Sequence, residues 1–156
     1  MTADRTLLTA EQVMQRNVVT LAPDQGVLDA VQTLLQKRIS GAPVVEDGKI
    51  RGMFSERDCL TVVAAAAYEA EPSGTVAQHM RRQFHCVSPD TDLFHVAELF
   101  HDYPIRRLPV VDCDGNLVGL VSRGDTLCAL QQVYCARKAE RPKNSYERIQ
   151  EHLEAH

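Results

Sequence analysis

The feature that most constrains this chain is an internal duplication. Met14 and Met80, Pro23 and Pro89, Ile39 and Ile105, and Pro43 and Pro109 all stand 66 positions apart. Further along, Gly52 and Gly119, Ser55 and Ser122, and Asp58 and Asp125 stand 67 positions apart. One extra residue therefore sits in the second copy between Pro109 and Gly119. That stretch reads as a hairpin turn, where an insertion disturbs the least packing. A clean internal period marks two copies of one supersecondary unit. A chain of 156 residues accommodates one compact domain, or two small units sharing a core.

Each copy has the same order of local signals. Thr9-Ala10-Glu11-Gln12 and Thr75-Val76-Ala77-Gln78 have capping-box spacing and open short helical turns. Val18–Leu21 and Cys86–Ser88 read as short strands stopped by Pro23 and Pro89. Asp24 and Asp90 then open helices. In the first, Val27, Leu28, Val31, Leu34 and Leu35 keep the i, i+3, i+4, i+7 spacing of a buried stripe. The second carries Leu93, Val96, Ala97 and Phe100 as far as Tyr103. Hairpins over 42–54 and 108–121 follow, turning at Asp47-Gly48 and at Asp114-Gly115-Asn116. Ser55 and Ser122 then start longer helices that end near Tyr68 and Ala139. The organisation is thus a flexible start (1–8), a first unit (9–70), a linker (71–74), a second unit (75–139) and a charged tail (140–156). In the tail, Arg141-Pro142-Lys143 breaks the preceding helix and Asn144 caps a new one. Its thin stripe of Ile149 and Leu153 fits either a solvated helix or a dimer or partner contact.

Composition excludes several classes. A formal charge of −4 argues against a dedicated nucleic-acid binder, although net charge does not speak for a single cleft. No apolar leader follows Met1-Thr2-Ala3-Asp4, and the soft apolar run Leu60–Ala67 is far too short to cross a bilayer. Five cysteines (Cys59, Cys86, Cys113, Cys128 and Cys135) show no C-x-x-C spacing and read as reduced thiols. The expectation is a cytoplasmic chain with no membrane insertion. His79, His85, His95 and His101 fit no common zinc spacing, so no metal is expected. No catalytic triad, Walker loop or Rossmann fingerprint is present, and no enzymatic activity is expected.

The paired methionines, the strands stopped at Pro23 and Pro89, the repeated Ile-x-x-x-Pro-Val-Val and the repeated Gly-x-x-Ser-x-x-Asp recur in one order and spacing. Over roughly residues 10–138, this pattern resembles a tandem pair of cystathionine-β-synthase (CBS) domains, a Bateman module. The resemblance implies an α+β fold of two tandem βαββα units, packed sheet to sheet with pseudo-twofold symmetry and two clefts between them. In that family the clefts often take AMP, ADP, ATP or S-adenosylmethionine as regulatory ligands, with no required cofactor. The modules usually form a disc-like homodimer and regulate another protein, which here would be a separate chain.

The resemblance also directs attention to particular residues. Ile39-Ser40 and Ile105-Arg106 would line the adenine end of each cleft, largely through backbone groups. At Ser55-Glu56-Arg57-Asp58, a helix N-terminus offers free N–H groups to a phosphate. Asp58 could accept hydrogen bonds from both ribose hydroxyls. Ser122, Arg123 and Asp125 repeat that corner. Arg106-Arg107 stand where the first copy has Ser40-Gly41. By resemblance Arg107 would cross to clamp a phosphate in the Ser55/Asp58 cleft. The Ser122/Asp125 cleft would depend on Arg123, Arg38 or another chain. The residues themselves leave a structural alternative, since Ser-x-x-acid is also a helix-capping pattern and a lone arginine is often a solvated charge. The functional expectation is a regulatory sensor of an adenine nucleotide or adenosyl ligand. Its alternative is a dimerisation or interaction module that binds no nucleotide.

Overall fold

The computed structural model describes residues 8–68, 74–140 and 145–155. The expected flexible start up to residue 7, the linker as far as Ser73 and the Arg141–Asn144 break and cap lie outside them. Each Pro-Val-Val segment forms the first strand of an antiparallel hairpin. Strand β1 (Gly41–Glu46) pairs with β2 (Lys49–Ser55), and β3 (Arg107–Val111) pairs with β4 (Leu117–Ser122). In the first turn Glu46 pairs with Lys49, and both Asp47 (φ 53°) and Gly48 (φ 79°) lie in the left-handed region. That is the type I′ geometry that suits the twist of a tight hairpin. In the second turn the Asp112 N–H donates to the Asn116 carbonyl at 3.0 Å. This leaves Cys113, Asp114 and Gly115 (φ 87°) at the tip. The additional residue therefore lies in the turn.

The strands expected at Val18–Leu21 and Cys86–Ser88 shrink to one parallel bridge each, Leu21 to Val44 and Val87 to Val110. Leu21 donates to the Pro43 carbonyl and Val87 to the Pro109 carbonyl, at 2.9 and 3.0 Å. Proline has no N–H to return, so the ladder stops there. The βαββα order is nonetheless complete in both copies. Helices α2 (Val27–Lys37) and α5 (Leu93–Asp102) precede the hairpins, and α3 (Glu56–Tyr68) and α6 (Arg123–Glu140) follow them.

Asp24 and Asp90 do not cap α2 and α5, which begin after Gly26 and Asp92; the Asp92 carboxylate accepts from the Phe94 N–H. The reason lies across the molecule. The turns before these helices present their carbonyls to the short leading helix of the other copy. Helix α4 (Val76–His79) donates from Val76 to Gln25 and from Ala77 to Pro23. Helix α1 (Ala10–Val13) donates from Ala10 to Thr91 and from Glu11 to Pro89. Free N–H groups at two helix starts are thus satisfied by carbonyls of the opposite repeat. The bridges Thr9–Asp92 and Gly26–Thr75 exchange under the repeat offset, as do Gln15–Leu120 and Met53–Arg81. This interchange is the pseudo-twofold symmetry.

The two cores are built by the same exchange. Leu21, Val27, Leu34, Val44 and Phe54 of the first copy enclose Val76 and Met80 of the second. Val87, Leu93, Phe100, Val110 and Val121 pack with Ala10 and Met14 of the first. The repeated glycines of β2 and β4 are where the exchanged methionines lie. A Cβ on Gly52 would stand 2.7 Å from Met80 Sδ and from the Arg81 carbonyl, and one on Gly119 would meet Met14. Helix α7 (Ser145–Glu154) carries Tyr146, Ile149 and Leu153, all exposed.

Candidate functional site

Each hairpin feeds directly into a helix, so the two Ser-x-x-Asp corners sit at the starts of α3 and α6. Their letters match and their bonding does not. At the first corner Asp58 turns back, and its Oδ2 accepts from both the Ser55 N–H and the Ser55 hydroxyl at 2.9 Å. Arg81 Nε lies 3.9 Å from the same oxygen. At the second corner the serine caps the helix instead, with Ser122 Oγ accepting from the Asp125 N–H at 3.0 Å. Among the described residues the Asp125 carboxylate meets only Gln15 Nε2, at 3.4 Å. Gln15 is the repeat counterpart of Arg81, so the first acid has a cationic neighbour and the second a neutral one. Cys59, next to Asp58, is buried, and burial first and the Asp58 charge second push its thiol pKa up. Burial and a raised pKa both favour the thiol over the thiolate, and Cys59 packs in the first core.

A cleft of about 560 Å³ opens beside the first corner. Ser40, Ser55, Arg57, Ile105, Arg106 and Arg107 line it, as do Arg81, Phe84, His85 and Tyr103. The His85 and Tyr103 rings stack, with centroids 4.0 Å apart and planes 32° from parallel. One region of the cleft is therefore aromatic and another is rich in guanidinium groups. Such a surface accepts a flat heterocycle and an anion together. Arg107 reaches from its own strand to the other copy, where Nη1 donates to the Gly41 carbonyl at 3.4 Å.

A second cavity of about 520 Å³ is lined by Arg38, Ser40, Glu56, Arg106, Arg107, Ser122, Arg123 and Gly124. The two cavities share Ser40, Glu56, Arg106 and Arg107. Ser122 and Arg123 are thus brought to the basin between the corners rather than into a second aromatic cleft. Arg123 lies against its own copy, with Nη2 donating to the Ile105 carbonyl at 2.8 Å.

Three expected site residues stand apart from the cavity linings. Ile39 packs against the first core, Asp58 is bound to its own helix start, and Asp125 sits beside Gln15. The Ser40 and Arg106 carbonyls expected at the adenine end already accept from the Glu56 and Arg123 N–H groups. Four lining residues, Arg81, Phe84, His85 and Tyr103, escaped the reading of the motifs because they lie outside them. Their repeat counterparts are Gln15, Val18, Val19 and Lys37. Extending the comparison of copies beyond Arg106-Arg107 is the signal that finds them.

Comparisons with known proteins agree with this architecture. The family model of the CBS domain matches residues 10–65 and 76–132. The CBS domain-containing protein YhcV of Bacillus subtilis is 31% identical over 117 residues, covering 75% of this chain and 81% of its own length. An inosine-5'-monophosphate dehydrogenase from Aquifex aeolicus is 33% identical over 118 residues, but this chain spans 23% of it. Among solved structures, CBSX2 in complex with AMP has a TM-score of 0.71 at 29% identity, covering 81% of this chain and 98% of that one. A further structure of CBSX2, from Arabidopsis thaliana, has a TM-score of 0.72. With both repeats matched and most of the chain superimposed on a CBS pair, this protein belongs to the CBS-domain family as a tandem pair.

Proposed function

We propose that the chain is a regulatory sensor that takes an adenine nucleotide or related adenosyl ligand in the cleft beside Ser55 and Asp58, and reports to a separate partner protein. The observation that carries this reading is the pairing, in one cavity, of an aromatic wall (Phe84, His85, Tyr103) with the guanidinium groups of Arg57, Arg81, Arg106 and Arg107. The structure of CBSX2 with AMP supports the ligand class. Asp58 does not itself line the cavity, but its neighbours Ser55 and Arg57 do, and its Oδ1, with no hydrogen bond among the described residues, is the acceptor this reading assigns to a ribose hydroxyl, while Arg107 is the phosphate clamp. Switching follows if the ligand binds one arrangement of the two units more tightly than another.

The second copy that such modules assemble with has a natural seat here. Leu60 on α3 and Leu127 on α6 are repeat counterparts, 70% and 71% exposed. Val63 and Tyr134 extend the same helices' exposed apolar surface. A homodimer covers them. This surface also favours the second reading, a dimerisation module indifferent to nucleotide. Thermal unfolding with and without AMP, ADP, ATP and S-adenosylmethionine separates the two. A true ligand at 100 times its Kd stabilises by about 2.7 kcal/mol. No shift with any of them leaves the dimerisation reading. Sedimentation of Leu60→Glu and Leu127→Glu variants tests the dimer, which both should weaken.

A further inference from the structure

Helix α6 turns a mixed apolar and thiol face outward. Thr126 and Ala129 are buried beneath the helix. On its opposite side Leu127, Gln131, Tyr134 and Lys138, all exposed, follow one another at i, i+4, i+7 and i+11. Beside this stripe stand two exposed thiols, Cys128 and Cys135. They lie seven residues apart on one helix, about 10 Å along its axis. A disulfide needs Cα atoms within roughly 7 Å, so these two cannot bond to each other. The face belongs to the second repeat alone. On α3 its counterparts are Leu60, Thr61, Ala64, Ala67 and Tyr68, and the position matching Lys138 is Glu71.

This face is self-complementary about a twofold axis near Gln131. Laid antiparallel on a second molecule's α6, it brings Leu127 against Tyr134 and Cys128 beside Cys135, each pair formed twice as twofold symmetry requires. The same rotation carries Lys138 to the start of the opposite helix. There Asp125 meets only the neutral Gln15 of its own chain among the described residues, and a lysine supplies the opposite charge that fixes register. An α3 helix on this face would offer the thiols only Thr61 and Tyr68.

We propose that two molecules of this chain pair α6 against α6, antiparallel, and that Cys128 of each forms a disulfide with Cys135 of the other, so that oxidation locks the pair. This rests on the dimer reading above and adds its arrangement and a redox control. The oxidant is a small-molecule disulfide. A thiolate of one molecule attacks it, forming a mixed disulfide and displacing one small thiol. The other molecule's thiolate then attacks the protein sulfur of that mixed disulfide and displaces the second. Each bond formed reduces one small disulfide to two thiols, which carry away the two cysteine protons.

Treatment of the whole chain with oxidised glutathione tests this, read by non-reducing electrophoresis, sedimentation and chymotryptic mapping, which cuts after Tyr134 and so separates the two thiols. The expected product is a covalent dimer, reversed by a thiol reductant, in which the Cys128 and Cys135 peptides are joined. Cys128→Ser and Cys135→Ser should each abolish the link, because every bond needs one thiol of each kind, while both variants still sediment as dimers. Lys138→Glu should slow linking, and Asp125→Lys added to it should restore the rate, a rescue that a mere loss of stability does not give. Bonds between two Cys128, bonds through other thiols, or no bond at all in a protein that sediments as a dimer overturn the inference while the dimer reading stands. A monomer at every concentration overturns both.

Discussion

At the first corner the acid caps the helix and the serine serves the acid; at the second, the serine caps and the acid is left beside a glutamine. The surroundings differ in the same direction. Phe84, His85 and Tyr103 of the second copy line the cleft at the first corner, whereas their counterparts in the first copy are Val18, Val19 and Lys37. Duplication thus preserved the backbone that makes both corners, while the side chains around them diverged. One corner kept a cleft with walls for a base. The other lends its arginines to a shared basin.

The comparison extends into the cores, where it can be broken most forcefully. The first core places its aromatic ring on the hairpin (Phe54) opposite a leucine on the helix (Leu34), and the second places it on the helix (Phe100) opposite a valine on the hairpin (Val121). Phe54→Ala should therefore destabilise the protein by about 3–5 kcal/mol, and Val121→Ala by about 2 kcal/mol. Equilibrium urea unfolding measures both. Equal losses would mean that the copies fill their cores alike, contrary to this exchange of bulk between elements.

Next in size is the effect on ligand binding. Asp58→Asn keeps the shape of the corner and removes the charge that strengthens a ribose hydrogen bond, a difference of about tenfold or more in AMP affinity by titration calorimetry. Asp125→Asn, beside no aromatic wall, should leave that affinity unchanged. A reversed ranking would move the site to the other corner.

The order of elements, both hairpins, the extra turn residue and the two corners were legible in the sequence because each rests on local chemistry: Asp-Gly turns, proline stops and capping residues. The exchange of α1 and α4 was not. Apolar spacing says that Val76 and Met80 are buried, but it does not say in which core. The carbonyls that receive these helices, at Pro23, Gln25, Pro89 and Thr91, are backbone atoms with no signature in residue type. Asp24 and Asp90 do not open the helices as expected for the same reason, since the turns they occupy meet the other repeat. Of the candidate site, Arg106 and Arg107 could be found by setting one copy against the other, whereas Phe84 and His85 lie in a segment without periodicity and Tyr103 at the end of a helix, outside its apolar stripe.

Crossed effects on stability are smaller but more diagnostic of the corners. Ser122→Ala removes a cap and should cost about 1 kcal/mol, more than Ser55→Ala, whose hydroxyl donates to the acid and leaves the Asp58 bond to the Ser55 N–H in place. For the acids the order inverts. Asp58→Ala strands the Ser55 N–H and should exceed Asp125→Ala by about 1 kcal/mol. Urea unfolding of the four variants gives a crossed pattern if the corners bond as described, and parallel effects if they do not.

The smallest effect concerns the turns, where the copies differ by one residue. In the longer turn Asp112 accepts from the N–H groups of Asn116 and Asp114 and from the Asn116 amide. These bonds, the Asn116 backbone bond foremost, hold its carboxyl below the usual carboxylate pKa, with Lys49 adding a weaker pull. A folded pKa below the unfolded one contributes stability that is present above the ordinary carboxylate range and is lost as pH falls through the lowered value. In the shorter turn the Asp47 side chain accepts no hydrogen bond among the described residues, and its positive φ does the shaping. Stability measured from neutral pH down through the carboxylate range should therefore lose part of its acid limb in Asp112→Asn. Carboxyl NMR would place the Asp112 midpoint below that of a free aspartate. A normal midpoint would mean that the inserted residue lengthened the loop without giving it a network of its own.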